Sequence, residues 1–246
     1  MKRIAIFGAT SYLAEHVARL YAAEGAHFFL AGRSEPKLSA IAADLRLRGA
    51  KDVRFQAFDF NNIPELAALV DCMLQSLQGS VDHVLIAYGV LGEQKAAEQS
   101  PDKTRLELET NFVSPAVLLN LLAPRFEKQK AGTIGVISSV AGDVGRRSNY
   151  VYGAAKSGLS AFTQGLRSRL HPFGVRVITI KPGPVETPMT TGISNKPLAP
   201  AAAVAKTIHR AMHRGGPDVL YTPLLFGPIM ALIRALPEGI KKRLNF

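Results

Sequence analysis

Ile4-Ala5-Ile6-Phe7-Gly8-Ala9-Thr10-Ser11-Tyr12-Leu13-Ala14 is an apolar run, a glycine, and then the start of a helical pattern that continues to about residue 24. Apolar residues without polar alternation suit a strand covered on both faces, as in a parallel sheet. A glycine between strand and helix permits a tight turn. It also lets the N–H groups of the helix start approach an anion. The usual dinucleotide fingerprint has three glycines, whereas here Tyr12 and Ala14 stand at the second and third places. A pyrophosphate-binding turn over Gly8, Thr10, Ser11, Tyr12 and Leu13 fits this stretch, and so does an ordinary β–α turn.

The same unit repeats along the chain. Strand-like runs are expected at 26–30, 53–57, 81–87, 133–138, 175–180 and 218–222. Helical periodicity is expected at 36–48, 63–77, 102–129, 150–170 and 201–213, with an irregular Pro-, Gly- and Thr-rich stretch before residue 200. Strands alternating with helices and joined by right-handed crossovers predict an α/β fold, a doubly wound parallel sheet of the Rossmann type. The 246 residues suit a single domain, 1–246, with an apolar and basic extension over 223–246.

A formal net charge of +11 favours anionic partners. No basic run interleaved with aromatics and no zinc-finger or RNA-binding signature appears, so nucleic acid is not an expected partner. The one cysteine, Cys72, leaves no disulfide framework and suits a reducing cytoplasmic compartment. The first strand starts so early that no leader is expected before it. His16, His27, His83, His171, His209 and His213 read as scattered, and no metal is expected.

Ligands of doubly wound sheets sit beyond the carboxyl ends of the strands, so the residues there carry the functional reading. After the second strand comes Arg33, which suits the 2′-phosphate of NADP better than the ribose hydroxyls of NAD; a solvated arginine is the alternative. After the third, Asp59 and Phe60 follow. Asp59 suits either an adenine amino group or the start of the next helix. Ala87-Tyr88-Gly89 ends the fourth strand with small residues that let a cofactor pass close to the backbone. Ser138 and Ser139 end the fifth. Pro182, Gly183, Val185 and Thr187 follow the sixth and suit an amide such as a nicotinamide carboxamide. Tyr152 and Lys156 share one face of a helix, and a lysine cation beside a phenol is expected to pull its pKa down.

Gly8-Ala-Thr-Ser11, Asn111, Ile137-Ser-Ser139, Tyr152-x-x-x-Lys156 and Pro182-Gly-x-Val-x-Thr187 together resemble the short-chain dehydrogenase/reductase family in order and spacing. The resemblance runs from residue 2 to about 187. It implies NADP(H), or else NAD(H), as cofactor. It also implies Tyr152 as proton donor, Ser139 (rather than Ser138) as the group orienting the carbonyl, Lys156 as tyrosine and ribose partner, and Asn111 in a water relay. Tyr88-Gly-Val-Leu-Gly92, the stretch 142–153 and the tail segments around 221–223, 233–237 and 242–244 further resemble the decaprenylphosphoryl-2-keto-erythro-pentose reductases within that family. That implies reduction of a keto sugar on a polyprenyl phosphate.

Arg146 and Arg147 precede the Tyr152 helix. They suit a bidentate clamp on a substrate phosphate, or plain solvation. The tail mixes Arg234, Lys241, Lys242 and Arg243 with Leu, Ile and Met. It is too short for a span and suits peripheral contact with the inner membrane face, a homodimer or homotetramer interface, or a cap over the site. A non-catalytic dinucleotide sensor and a sugar epimerase or dehydratase are the alternatives to a reductase. The first is expected to lack the tyrosine or the lysine, and the second to carry a further substrate domain.

Overall fold

Strands β1 (Arg3–Phe7), β2 (His27–Gly32) and β3 (Asp52–Ala57) alternate with helices α1 (Tyr12–Ala22) and α2 (Glu35–Leu47). Helix α3 (Leu66–Ser76) leads to β4 (His83–Ile86), followed by α4 (Gln94–Glu98), α5 (Pro101–Leu108) and α6 (Ser114–Gln129). Then come β5 (Thr133–Ile137), α7 (Tyr150–Leu170), β6 (Arg176–Pro182), α8 (Ala201–Arg214), β7 (Val219–Thr222), α9 (Phe226–Ala235) and α10 (Glu238–Lys241). This computed structural model describes residues 1–188, 190 and 198–243. The rest of the irregular stretch before Pro200 and the last three residues of the extension, Leu244 of the tail motif among them, lie outside the described residues.

All seven strands pair in parallel in the order β3-β2-β1-β4-β5-β6-β7. Ile4 to Phe7 are fully buried, as the unalternated apolar run predicts, because helices cover both faces of the sheet. One apolar layer joins the sheet to α1, α2 and α8, and the other joins it to α3, α6 and α7. The order reverses direction between β1 and β4, and ligands of such sheets sit beyond the carboxyl edge at that point.

The predicted helix over 102–129 is continuous but not uniform. A π turn, Glu109–Val113, separates α5 from α6. Pro115 has no N–H to give to the carbonyl four residues back, at Asn111, so an α-helical ladder cannot close there. Ser100 caps α5, its Oγ accepting the Lys103 N–H at 3.4 Å, and Pro101 stands in the first turn.

Candidate active site

Gly8 ends β1 with φ +88, a left-handed conformation that glycine adopts without strain. A Cβ there would lie 2.5 Å from the Tyr88 nitrogen and 2.8 Å from the Ala87 carbonyl carbon. The glycine is therefore needed where β1 passes the end of β4, before any ligand is considered. The Gly8 and Ala9 N–H groups both donate to the Ala31 carbonyl at 2.9 Å. Helix α1 then opens with a bond from the Glu15 N–H to the Ser11 carbonyl. The amides of Tyr12, Leu13 and Ala14 stand at the helix N-terminus without an acceptor one turn back. Thr10 packs on Gly32, with its Cγ2 3.3 Å from where a Cβ would stand. Tyr12 is exposed and lies edge-on to His16.

Arg33 and Asp59 are exposed at the carboxyl ends of β2 and β3, the same edge as Gly8. Arg33 has no ion pair among the described residues. Asp59 accepts the Asn61 N–H at 3.1 Å, which is the local turn role. Phe60 stacks on Tyr88 with ring centroids 4.0 Å apart, and its carbonyl accepts from the Ser114 hydroxyl at 2.6 Å. The tyrosine hydroxyl meets the same serine at 2.9 Å. Phe60 and Tyr88 are thus fixed against one another just beyond β3 and β4.

Gly89 brings the catalytic candidates together. A Cβ there would meet Asn111 Oδ1 at 2.6 Å and Lys156 Nζ at 3.3 Å. The missing side chain makes room for these two groups, whereas close approach of a cofactor was the expected reason. Asn111 sits in the π turn, fully buried; its Oδ1 accepts the Val90 N–H at 3.1 Å. Its Nδ2 donates to the Val90 and Glu107 carbonyls, each at 2.9 Å.

Lys156 is buried on α7, and its Nζ donates to the Ile137 carbonyl at 3.2 Å and lies 5.7 Å from the centre of the Tyr152 ring. Burial pulls the lysine down to about 8. Burial pushes the Tyr152 phenol up to about 12, against a hydrogen bond from Ser139 that favours ionisation, while the Glu107 carboxylate adds to the rise. The expected downward pull on the tyrosine is thus corrected: desolvation by burial sets the direction, and Tyr152 is held protonated. Ser139 also caps the short turn Val140–Gly142, its Oγ accepting the Ala141 N–H at 3.1 Å. Ser138 points the other way. Its buried hydroxyl donates to the Lys156 carbonyl at 3.0 Å and meets Ser160 at 2.8 Å, which leaves Ser139 as the serine facing Tyr152.

Sequence reasoning missed three groups near this centre. Glu107, one turn before Asn111 on the same helical face, is buried, accepts the Gly92 N–H at 3.1 Å and bears on Tyr152. Gln94 of α4 accepts the Val151 N–H at 3.2 Å and so anchors the first turn of α7. Asp143, nearly inaccessible, pairs with the buried Lys181 of β6 and accepts from the Tyr221 hydroxyl of β7 at 2.8 Å. Only the Glu107 spacing was visible in the chain.

The remaining candidates lie in the segments that follow β5 and β6, beyond the carboxyl edge of the sheet. Burial weakens the Arg146 cation, and the Asp143 charge opposes that effect; Arg147 is exposed. Gly183 lies under Phe226, whose Cε2 is 2.3 Å from a Cβ built there, so α9 of the extension rests on the Pro182–Gly183 turn. Val185 is buried and bridged to Ala199, and the Thr187 N–H donates to Thr190 Oγ1 at 3.1 Å. Three histidines are not scattered. His83, His209 and His213 gather near Glu24 because α8 packs on α1, at the amino edge of the sheet, opposite Tyr152.

A model of the short chain dehydrogenase family matches residues 2–198. The sequence is 35% identical over 243 residues to an uncharacterized oxidoreductase of Mycobacterium tuberculosis, spanning 98% of this chain and 96% of that one. It is 32% identical over 244 residues to an uncharacterized oxidoreductase of Streptomyces coelicolor, spanning 99% and 96%. A solved short chain dehydrogenase from Burkholderia cenocepacia in complex with NADP shares the fold with a TM-score of 0.84 at 21% identity, over 100% of both chains. Actinorhodin polyketide ketoreductase with NADPH does so with a TM-score of 0.78 at 24% identity, over 89% of this chain and 95% of that one. The chain belongs to the short-chain dehydrogenase family of oxidoreductases.

Proposed function

We propose that the protein reduces a carbonyl to an alcohol with NADP(H), accepting NAD(H) less well, and that Tyr152 is the proton donor. The observation that carries this is the chain of contacts in which Asn111 and Lys156 meet at Gly89, Lys156 lies beside the Tyr152 ring and Ser139 hydrogen-bonds Tyr152, with the phenol held protonated. The residues fit a phosphorylated dinucleotide. Tyr12, Leu13 and Ala14 offer amides at the start of α1, and Arg33 offers a guanidinium suited to a 2′-phosphate. The NADP and NADPH complexes of the two solved relatives point the same way.

A reduced nicotinamide, when bound, supplies the hydride to the carbonyl carbon. Ser139 orients the carbonyl oxygen, and the Tyr152 hydroxyl gives that oxygen its proton. The resulting phenolate lies beside the Lys156 ammonium, which stabilises it. The Asn111 side chain is fully engaged. Its share in a water relay is assigned to its backbone carbonyl, to which Pro115, four residues on, has no N–H to give.

The finer reading is a keto sugar on a polyprenyl phosphate, such as a decaprenylphosphoryl 2-keto-pentose. Arg146 and Arg147 support the phosphate, and the exposed Leu224, Leu225 and Leu232 near the Phe226 contact support the lipid. The same apolar face supports peripheral membrane contact by α9; no helix among the described residues is long and apolar enough to cross a membrane. Exposed Val113 and Tyr150 line one surface depression, and they support a homo-oligomer.

The test is nicotinamide oxidation with water-soluble ketones and with a polyprenyl-phosphate keto sugar. Tyr152→Phe should lose about 10²–10⁴-fold in turnover and keep its NADPH affinity; retained turnover overturns the acid assignment. Arg33→Ala should weaken NADPH and leave NADH unchanged. Replacing Arg146 and Arg147 by Ala should raise KM for the phosphorylated substrate alone. Vesicle flotation and sedimentation test the membrane and oligomer readings.

A further inference from the structure

We propose that Glu24, His209 and His213 form a binding site for a divalent transition-metal ion of the zinc class, joining the end of α1 to α8. The three ligand atoms lie within 4.8 Å of one another. Glu24 Oε1 is 3.2 Å from His209 Nε2, and Glu24 Oε2 is 3.3 Å from His213 Nδ1. A tetrahedral zinc ion with bonds of about 2.0–2.1 Å sets its ligands about 3.3–3.4 Å apart. Each carboxylate oxygen of Glu24 already stands at that spacing from one imidazole nitrogen, and small side-chain rotations bring one of these oxygens and both nitrogens onto a single ion. Two imidazoles and one carboxylate suit zinc, cobalt or nickel better than calcium or magnesium. A water completes four ligands at this partly open position.

The site is held by its surroundings. His209 and His213 are one helical turn apart on the same face of α8, with stacked rings 5.4 Å apart. Tyr21 of α1 packs edge-on against His209 at 4.4 Å, and its hydroxyl is fixed by His83 Nδ1 at 2.7 Å. His83 is therefore a support and not a ligand. His209 Nε2 is shielded from solvent and faces the Glu24 carboxylate at 3.2 Å, so an ion held between the two groups takes over that contact. Arg214 follows His213 in sequence, Arg210 follows His209, and Lys206 and Arg210 border His209 in space. These cations weaken the hold on a dication, so affinity on the order of micromolar is expected rather than the tighter hold of a closed structural site.

The test uses full-length, untagged protein stripped with a chelator. Titration with Co²⁺ should give one equivalent with the visible absorption of a four-coordinate ion. Zn²⁺ at about a hundredfold excess over Kd should raise Tm by roughly 5–10 °C. His213→Ala and Glu24→Gln, both at partly exposed positions that tolerate change, should each lower affinity about tenfold or more, and His171→Ala, remote and exposed, should not. No Tm shift, or equal affinity in wild type and His213→Ala, overturns the proposal. Loss of binding in both ligand variants, with circular dichroism unchanged, supports it. NADPH turnover is measured alongside and is not the readout, because the site lies at the opposite end of the strands from Tyr152.

Discussion

Asn111 holds Val90 as one strand residue holds another, its Oδ1 accepting the Val90 N–H at 3.1 Å and its Nδ2 donating to the Val90 carbonyl at 2.9 Å. The pairing ties the loop after β4 to the π turn without a strand being present. Asn111→Leu leaves those two backbone groups and the Glu107 carbonyl unpaired in a buried place. A loss on the order of 3 kcal/mol is expected in denaturant unfolding. An unchanged midpoint would show that the contact is not a structural tie.

Ser138 and Ser139 separate structure from chemistry. Ser139→Ala should cost about 10²-fold in turnover with a small change in stability. Ser138→Ala should cost about 1 kcal/mol of stability, because its hydroxyl bonds the Lys156 carbonyl and Ser160, and should spare turnover. Full activity in Ser139→Ala, with loss in Ser138→Ala at unchanged stability, would exchange the roles.

The buried Lys156 makes stability depend on pH in a definite direction. Its pKa falls from 10.5 to about 8 on folding. Below about 8 the lysine is charged in both states, and the cost of burying that charge is present in full. Between about 8 and 10.5 the folded protein has released a proton that the unfolded chain still holds, so the unfolded chain binds more protons and this contribution to stability rises with pH. Wild type should therefore gain stability relative to Lys156→Met from pH 8 to pH 10. A constant difference across that range would contradict the shift.

Asp143 lies between two strand ends, pairing with Lys181 and accepting from Tyr221. Asp143→Asn strands the Lys181 charge in a buried place and should cost about 3–5 kcal/mol. The double change Asp143→Leu with Lys181→Met should recover most of that loss in thermal unfolding. If the single and double variants were equally stable, the pair would have no energetic weight.

The strands and helices were legible because each carries its own period. The helix expected over 150–170 has those same bounds in Tyr150–Leu170. Short α4 was not expected, since five residues show no period, and the π turn was hidden inside an otherwise regular helix. Asn111, Ser139, Tyr152 and Lys156 were singled out by the resemblance of their order and spacing to a family pattern, and the fold brings Asn111 to Lys156 and Ser139 to Tyr152. Their electrostatic balance was not, because the desolvation that sets Tyr152 and Lys156 depends on packing by distant segments. Pairings across long separations, Asp143 with Tyr221 or Glu24 with His209, leave no mark in local sequence. The His209–His213 spacing was present in the chain, and only the packing of α1 on α8 supplies the third member.

Gly8 decides how the nucleotide-loop experiments are to be interpreted. Any side chain there collides with the backbone at Ala87 and Tyr88 and must part the first strand from the fourth. A Gly8 variant will therefore aggregate or misfold before it reports on a ligand. Inactivity in such a variant counts as a folding phenotype, and the usual first mutation in a nucleotide-binding loop is uninformative in this protein. Tyr12, whose ring is exposed, and Arg33 are the positions where affinity can change while the sheet stays whole.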